Sequence, residues 1–123
     1  MYPKPVKADN TIDDIVAISI YIICILYNMN IVITPSPNYK KKYRVNIQGK
    51  NIDFGAKGYS DYTINKSDAK KNAYIARHRV REDFTNPLTA GFWSRWILWN
   101  KPTLMGSIND LAKRMNTNIF YYP

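Results

Sequence analysis

Asp61 and His78 are the residues whose types could carry out acid–base chemistry in this chain of 123 residues. His78 is the single histidine, and Asp53 and Asp61 flank a short glycine-containing loop, so that either carboxylate could meet it. A carboxylate beside an imidazole can move protons near neutral pH. An isolated Asp–His contact is more often structural, however, and no second carboxylate pairs convincingly with it. The sequence therefore predicts that the protein is not an enzyme.

Cysteine and glycine usage excludes further classes of chemistry. Cys24 is the single cysteine, so a disulfide within the chain and a zinc site of the usual Cys/His type cannot form. It lies in the most apolar stretch, where we expect a buried, inert thiol. The stretches GAKG and TAGF lack the spacing of a phosphate-binding loop. We therefore expect no metal and no cofactor.

The positive charge predicts a polyanionic partner. The 18 basic side chains exceed the nine acidic ones, and the whole excess lies after residue 39, where 16 basic side chains stand against six acidic ones. A helix predicted from Ser67 and Asp68 to about Asp83 has basic residues and one tyrosine on a single arc, which could hold phosphates and stack on a base. A solvated face, partly balanced by Glu82, is the favoured alternative. The candidate polyanion-binding residues are Lys40, Lys41, Lys42, Lys70, Lys71, Tyr74, Arg77 and Arg81.

A run without charge extends from Ile15 to Tyr39. Its apolar part, residues 15–34, is about the length needed to cross a bilayer as a helix, roughly 20 residues. The lysines that follow it would then keep the C-terminal body on the cytoplasmic side. Burial in the protein or against a partner is the alternative, since Ile and Val also favour strands. The candidate membrane-inserted residues of this segment include Ile15, Ile20, Ile23, Leu26 and Ile31.

The rest of the chain alternates short strand and helix patterns. Tyr43 to Phe54 reads as a hairpin turning at Gly49-Lys50, and Tyr59 to Ile64 as a third strand. In the following helix, an alanine stripe with Val80 and Phe84 is expected to pack on the hairpin. Ser107 is expected to cap a last helix, with Asp110 completing a capping box.

The tract from Pro87 to Leu104 contains all three tryptophans at three-residue spacing. In a helix this spacing gathers them with Phe92 and Ile97 on one aromatic face. We expect Trp93 and Trp96 to pack within the domain. Contacts with a partner are expected mainly from Arg95, Trp99 and the C-terminal residues Ile119, Phe120, Tyr121 and Tyr122.

These patterns predict an α+β fold, with a small antiparallel β-hairpin or three-stranded sheet packed by two or three short helices and preceded by an apolar N-terminal segment. The expected organisation is a polar arm at residues 1–14, the apolar segment at 15–34, a Pro/Lys linker at 35–42, the α+β domain at 43–115 and an aromatic tail at 116–123.

Three blocks of the sequence resemble a family of small proteins of undefined biochemical activity from nucleocytoplasmic large DNA viruses. The blocks are FGAKGYSDYTI (Phe54 to Ile64), YIARH (Tyr74 to His78) and PLTAGFWSRWILWNKPTL (Pro87 to Leu104). The resemblance covers roughly residues 42–114 and brings no catalytic residues with it. It implies a viral setting, in virions where a protein shell surrounds an internal membrane.

In that setting, small proteins between shell and membrane cement the capsid subunits. The resemblance therefore implies a minor capsid protein beneath the outer shell, present in the host cytoplasm during assembly, with other viral capsid proteins as partners. The internal membrane would be a further partner if residues 15–34 insert. The alternative is a DNA-binding or genome-packaging protein of the virion, which would use the basic helix face.

Overall fold

Four short strands form one mixed sheet in the computed structural model, which describes residues 30–123. Their order across the sheet is β3-β2-β1-β4. β1 is antiparallel to β2, β2 is antiparallel to β3, and β4 is parallel to β1. The α+β fold predicted from the sequence is confirmed. The strands are β1 (Ile31–Pro35), β2 (Lys41–Ile47), β3 (Lys50–Ala56) and β4 (Ile119–Tyr121).

The hairpin of β2 and β3 follows from alternation and a two-residue turn. Val45 and Ile47 are fully buried, and Val45 lies opposite Ile52. Gln48 and Gly49 connect the strands, and both have positive φ, 51° and 77°. This conformation matches the twist of a two-residue hairpin. The turn lies one residue earlier than the predicted Gly49-Lys50.

The last residues of the candidate membrane segment, from Ile31 onward, form strand β1 instead of a membrane helix. Ile31 and Ile33 are fully buried and lie opposite Ile47 and Val45 of β2. Ile31 is therefore a core residue of the sheet, because its backbone pairs with β2 and β4 and its side chain is buried. The other candidate membrane-inserted residues (Ile15, Ile20, Ile23 and Leu26) lie outside the described residues. Within residues 30–123, no helix is long and apolar enough to cross a membrane.

The folded unit extends beyond the predicted limits of 43–115. β1 adds residues at its N-terminal side, and the predicted linker at 35–42 already contains the start of β2 at Lys41. At the other side, β4 contains part of the predicted tail. The tail joins the sheet because Ile119 and Tyr121 pair with Ile31 and Ile33.

Between β3 and β4, the chain forms five helical segments. They are α1 (Tyr62–Asn65), α2 (Asp68–His78), α3 (Ala90–Trp93), a π-helix (Ser94–Leu98) and α4 (Leu104–Met115). α1 occupies the stretch predicted as a third strand. Asp61 caps it, with its side chain accepting the N–H of Thr63, and a local cap of this kind favours helix over strand.

α2 begins where its sequence signal predicts and ends earlier. Ser67 is the N-cap and accepts the N–H of Lys70. The helix stops at His78, whereas the prediction extended it to about Asp83. Its buried face is also different, because Tyr74 is buried while Val80 and the alanines are exposed. A tyrosine ring removes more apolar surface from water than alanine methyl groups do, so the Tyr74 side faces inward. The exposed alanines of the predicted stripe are Ala69, Ala73 and Ala76.

α4 covers the core with one apolar face. Ile108, Leu111 and Met115 are buried, as the helical spacing predicts. Thr103, not Ser107, is the N-cap and accepts the N–H of Gly106. Ser107 is buried inside the helix, and its hydroxyl accepts the N–H of Lys101. The core consists of this face, the inner sheet face and four buried residues of α3 and the π-helix (Phe92, Trp93, Ile97 and Leu98).

Candidate functional site

The π-helix is the least regular element of the fold, and it positions the candidate site. It follows α3 directly, and the N–H of Trp99 donates to the carbonyl of Ser94 over 3.1 Å, five residues back. Short π-helical turns are rare and occur frequently at functional sites. The wider turn changes the directions of Arg95, Trp96 and Trp99 from those of a regular α-helix. These three side chains therefore define the candidate site.

The three tryptophans all pack within the chain. Trp93 is fully buried and its Nε1 donates to the carbonyl of Pro87 over 2.7 Å. Trp96 is half-buried and its Nε1 donates to the carbonyl of Phe84. The ring of Trp99 stacks on Tyr74, with centroids 4.5 Å apart and planes 7° apart. One face of the Trp99 ring is therefore covered by the protein's own helix α2, and contact of the rest of this side chain with a partner stays a prediction.

Two arginines lie against the Trp96 ring. The guanidinium carbon is 4.3 Å from the ring centroid for Arg95 and 4.8 Å for Arg114. Cations in this position are attracted by the ring quadrupole. Arg95 also donates from Nη1 to the carbonyl of Trp99 over 2.9 Å. The guanidinium of Arg95 is therefore held in one place by an aromatic ring and a backbone carbonyl.

Cations from three elements converge on the loop of residues 99–102. Arg95 binds the carbonyl of Trp99, Lys71 of α2 binds that of Asn100 over 2.6 Å, and Lys66 binds that of Pro102 over 2.8 Å. Lys101 lies within the same loop and is exposed. The carbonyls at the end of a helical segment carry partial negative charge, which favours nearby cations. We refer to Lys66, Lys71, Arg95 and Lys101 as the cationic cluster.

The cationic side chains of this cluster lie close enough to influence one another. Burial, and then the charges of Arg95 and Lys101, lower the pKa of the Lys71 ammonium below its ordinary value. The carboxylates of Asp68 and Asp110 oppose this effect, and that of Asp110 also accepts from Arg114 over 2.8 Å and from Asn100 over 2.8 Å. The cluster is therefore a place where like charges are held together by contacts with the backbone.

The structure divides the predicted polyanion-binding residues into two groups. The charge of Lys42 is paired within the protein, because its ammonium binds the buried carboxylate of Asp61 at 2.6 Å. Tyr74 has rings stacked against it on two sides, His78 at 4.1 Å and Trp99 at 4.5 Å, so it cannot stack on a base. These two assignments are corrected, and Lys71 faces the loop instead of an open helix face. The predicted residues with exposed side chains are Lys40, Lys70, Arg77 and Arg81, while Lys41 is half-buried.

The pair considered for acid–base chemistry has structural partners. Asp61 caps α1 and binds Lys42. His78 stacks on Tyr74, and its Nδ1 lies 3.1 Å from a carboxylate oxygen of Glu82. Among residues 30–123, no three His, Cys, Asp or Glu side chains are grouped so that they could hold a metal ion.

The C-terminal residues predicted to contact partners alternate between core and surface. Ile119 and Tyr121 are half-buried and pack against the core, and Tyr121 meets the ring of Tyr43 edge to face at 6.3 Å. Phe120 and Tyr122 are 44% and 59% exposed. Only the second pair is available to another molecule through its side chains.

Sequence reasoning missed Lys66, Asn100 and Lys101. The contact of Lys66 with Pro102 joins residues 36 positions apart, so no local spacing rule could reveal it. The Asn100-Lys101-Pro102 break was visible as a helix end, and a helix end with a nearby cation was the one signal that could have pointed to the loop.

Residues 31–78 match a family of unknown function (DUF5754). The match includes β1 to α2 and ends before the tryptophan tract. No curated protein and no solved structure shows significant similarity to the chain.

Proposed function

We propose that the protein is a minor structural protein of a viral capsid, which binds neighbouring capsid subunits between the outer shell and the internal membrane. It acts by contact and not by catalysis. The observation that carries the proposal is the combination at β4 of exposed aromatic side chains with an outer sheet strand.

β4 is the last strand of the sheet order, so on its outer side no strand of residues 30–123 pairs with it. Phe120 and Tyr122 alternate with the core residues Ile119 and Tyr121 and are substantially exposed. Exposed strand edges invite pairing with another chain, and aromatic residues are enriched at the centres of protein interfaces. An outer strand with exposed aromatic residues therefore suits a protein whose function is to hold neighbours.

The polar side chains support the same proposal. Asp61, Asp110, His78 and Glu82 each make ion pairs or hydrogen bonds within the domain. The Lys42–Asp61 pair and the Asn100–Asp110 hydrogen bond join separate parts of the fold, as expected of a structural protein. The viral setting itself rests on the resemblance of the three sequence blocks.

A DNA-binding or genome-packaging protein is the second candidate. The exposed side chains of Lys70, Arg77 and Arg81 on and just after α2 favour it, because cations on one helix can neutralise phosphates. The covered rings of Tyr74 and Trp99 weigh against base stacking. Binding would then depend on charge alone, and affinity for duplex DNA should fall steeply between low and moderate salt.

The test of the capsid role uses particles assembled with the full chain. We expect mass spectrometry to find the chain in purified particles and cross-linking to join it to capsid subunits. Phe120→Ser combined with Tyr122→Ser should reduce incorporation by about tenfold, since exposed aromatic anchors supply much of an interface's affinity. Tyr39→Ser is the matched control, because Tyr39 is a 77% exposed aromatic residue in the loop between β1 and β2.

Two results would contradict the proposal. One is absence of the chain from purified particles. The other is unchanged incorporation of the double variant, which would remove β4 from the interface. Salt-sensitive binding of duplex DNA, together with cross-links to the genome alone, would favour the second candidate.

A further inference from the structure

We infer that an exposed patch of two tyrosines and two lysines at one end of the sheet binds single-stranded nucleic acid. The patch consists of Tyr39 and Lys40, in the loop between β1 and β2, and of Lys57 and Tyr59, in the loop between β3 and α1. We refer to it as the tyrosine–lysine patch. The inference goes beyond the proposed function, because it assigns a ligand to a surface that is separate from the contacts of β4.

A backbone hydrogen bond places the two loops of the patch side by side. The N–H of Lys57 donates to the carbonyl of Lys40 over 2.9 Å, directly after the paired residues Lys41 and Ala56. The N–H of Tyr59 donates to the carbonyl of Ala56 over 3.3 Å and closes a tight turn. The four side chains therefore start from adjoining segments whose backbone is already ordered, which lowers the conformational entropy lost on binding.

The side chains of the patch are open to solvent. Tyr39 is 77% exposed and Tyr59 is 74% exposed, and Lys40 and Lys57 are exposed as well. Within residues 30–123, neither lysine forms an ion pair and no second ring stacks on either tyrosine. The ammonium of Lys40 lies 5.7 Å from the centroid of the Tyr39 ring. A ligand can therefore reach rings and ammonium groups together without displacing a contact of the core.

The charge of the patch fits an anionic ligand. The carboxylates of the adjoining segments bind other cations, since Asp53 pairs with Arg44 and Asp61 with Lys42. The charge of Lys41 also acts on Asp53. The tyrosine–lysine patch itself contains two cations and no carboxylate. Ammonium groups bind phosphate oxygens through charge-assisted hydrogen bonds, so phosphates are suitable ligands.

The two tyrosines favour single-stranded nucleic acid over other polyanions. Exposed tyrosine rings beside lysines allow unpaired bases to stack while the phosphates contact the ammonium groups. A duplex would contact the lysines alone, because its bases already stack on one another. An anionic membrane is the other polyanionic surface that tyrosine and lysine suit, but residues 36–40 and 57–60 contain no Leu, Ile, Phe or Trp to insert into lipid.

The experiment measures binding of a fluorescent strand of ten thymidylates to the full chain by anisotropy at low salt. We expect Tyr39→Ser and Tyr59→Ser each to weaken binding by about tenfold, the effect of removing one stacked base. Both side chains are largely exposed, so these changes should leave the packing intact. A strand of ten uridylates is the second probe. Tighter binding of either strand supports the inference and identifies DNA or RNA as the ligand.

Two matched controls separate the patch from the rest of the surface. Lys70→Ser removes the same charge as Lys40→Ser, but at an exposed lysine of α2. Phe120→Ser combined with Tyr122→Ser removes two exposed aromatic rings of β4. We expect each control to change the affinity for the strand by less than about twofold, because stacking needs direct contact and ions screen distant charges. Lys40→Ser should weaken binding more than Lys70→Ser does.

Four outcomes would overturn the inference. They are absence of binding of both strands at low salt, unchanged affinity in both tyrosine variants, equal weakening by Lys40→Ser and Lys70→Ser, and binding of duplex DNA as tight as that of the single strand. Binding of phosphatidylserine vesicles that depends on Tyr39 and Tyr59, without binding of either strand, would assign the patch to a membrane surface instead. The capsid proposal is tested separately, because incorporation through β4 does not require the patch.

Discussion

Asp61 is a buried carboxylate that joins three parts of the chain. It binds the ammonium of Lys42 on β2 and accepts the N–H of Thr63, and Lys42 in turn donates to the carbonyl of Tyr59. Only 3% of its side chain is exposed. A buried charge of this kind is tolerated because each oxygen has a partner.

Replacing Asp61 by alanine should therefore destabilise the protein strongly. The change leaves the Lys42 ammonium in a poorly hydrated place and removes the cap of α1. We expect the free energy of unfolding to fall by about 3 kcal/mol, as is typical when one partner of a buried pair is removed. Urea denaturation measures this value.

Asp53→Ala is the comparison for Asp61. Asp53 pairs with Arg44 at 2.8 Å, but both side chains are more exposed than the Lys42–Asp61 pair. Water can replace a partner at an exposed site, so the loss should be clearly smaller. Equal losses for the two variants would contradict the structural role assigned to Asp61.

Asp110 predicts a dependence of stability on pH. Burial raises the pKa of its carboxyl, but hydrogen bonds from Asn100 and Arg114 outweigh this effect, and the net shift is below the ordinary value of 3.8. A lowered pKa means that the folded chain binds fewer protons here than the unfolded chain. The stabilisation is therefore complete above pH 3.8 and is lost as the pH falls through the folded-state pKa.

Asp110→Asn tests this dependence. The amide has no charge to lose, so the free energy of unfolding should fall less steeply below about pH 4 than in the wild type. Urea denaturation at several pH values between about 2.5 and 6 gives both curves. Parallel curves would show that the acid sensitivity arises elsewhere.

At the scale of elements, Gly55 allows β3 to pack closely against the π-helix, and Gly49 offers a comparison at an open position. Gly55 and Gly49 have φ of 80° and 77°, so both adopt a conformation that disfavours side chains. Their surroundings differ. A Cβ at Gly55 would lie 2.7 Å from Cδ1 of Leu98, whereas a Cβ at Gly49 would meet nothing within 4 Å.

Alanine substitutions at these two glycines distinguish the free-energy cost of an unfavourable backbone conformation from the cost of a steric clash. Gly49→Ala should lower the free energy of unfolding by about 1 kcal/mol, from backbone conformation alone. Gly55→Ala adds a clash with the π-helix and should cost about 2–4 kcal/mol in total. Thermal or urea denaturation distinguishes them, and equal costs would mean that β3 and the π-helix are not packed as described.

The capping residues show how far local sequence predicts an element. Ser67 was predicted as a helix start and is the N-cap of α2, because the bond to Lys70 lies within one turn. Ser107 fits the same rule, yet Thr103 caps α4 four residues earlier. Core packing favours Thr103 as the cap, because Leu104 packs against the core as the first residue of α4, which places Ser107 inside the helix.

For the whole molecule, β4 closes the fold by bringing its C-terminal residues beside β1. Ile119 and Tyr121 pack on the core, and the N–H of Tyr122 donates to the carbonyl of Ile33 over 3.0 Å. β1 is consequently paired on both sides. We therefore expect this short strand to contribute to the stability of the domain.

Deleting residues 119–123 should destabilise the domain. The deletion exposes buried surface of β1 and removes two half-buried side chains, so we expect a loss of about 2 kcal/mol in the free energy of unfolding. Tyr122→Ser is the control, because it keeps the backbone hydrogen bond and removes a side chain that is already 59% exposed. A deletion without effect would mean that β4 does not belong to the fold in solution.

The sequence by itself determined the features that depend on near neighbours. Alternation over residues 43–54 predicts the hairpin, helical spacing predicts the buried face of α4, and Trp93 is buried as expected. Each of these depends on side chains within a few residues or on the size of an apolar ring. Local physics is therefore sufficient for them.

Only the tertiary structure decided which distant groups meet. The apolar pattern at Ile31 fits a membrane helix and a strand equally well, and pairing with β2 and β4 selects the strand. The same holds for the cationic cluster, where Lys66, Lys71 and Arg95 each bind a carbonyl in the loop of residues 99–102. Charge count predicted an anionic partner, but its location depends on packing between elements, which no periodicity in the chain encodes.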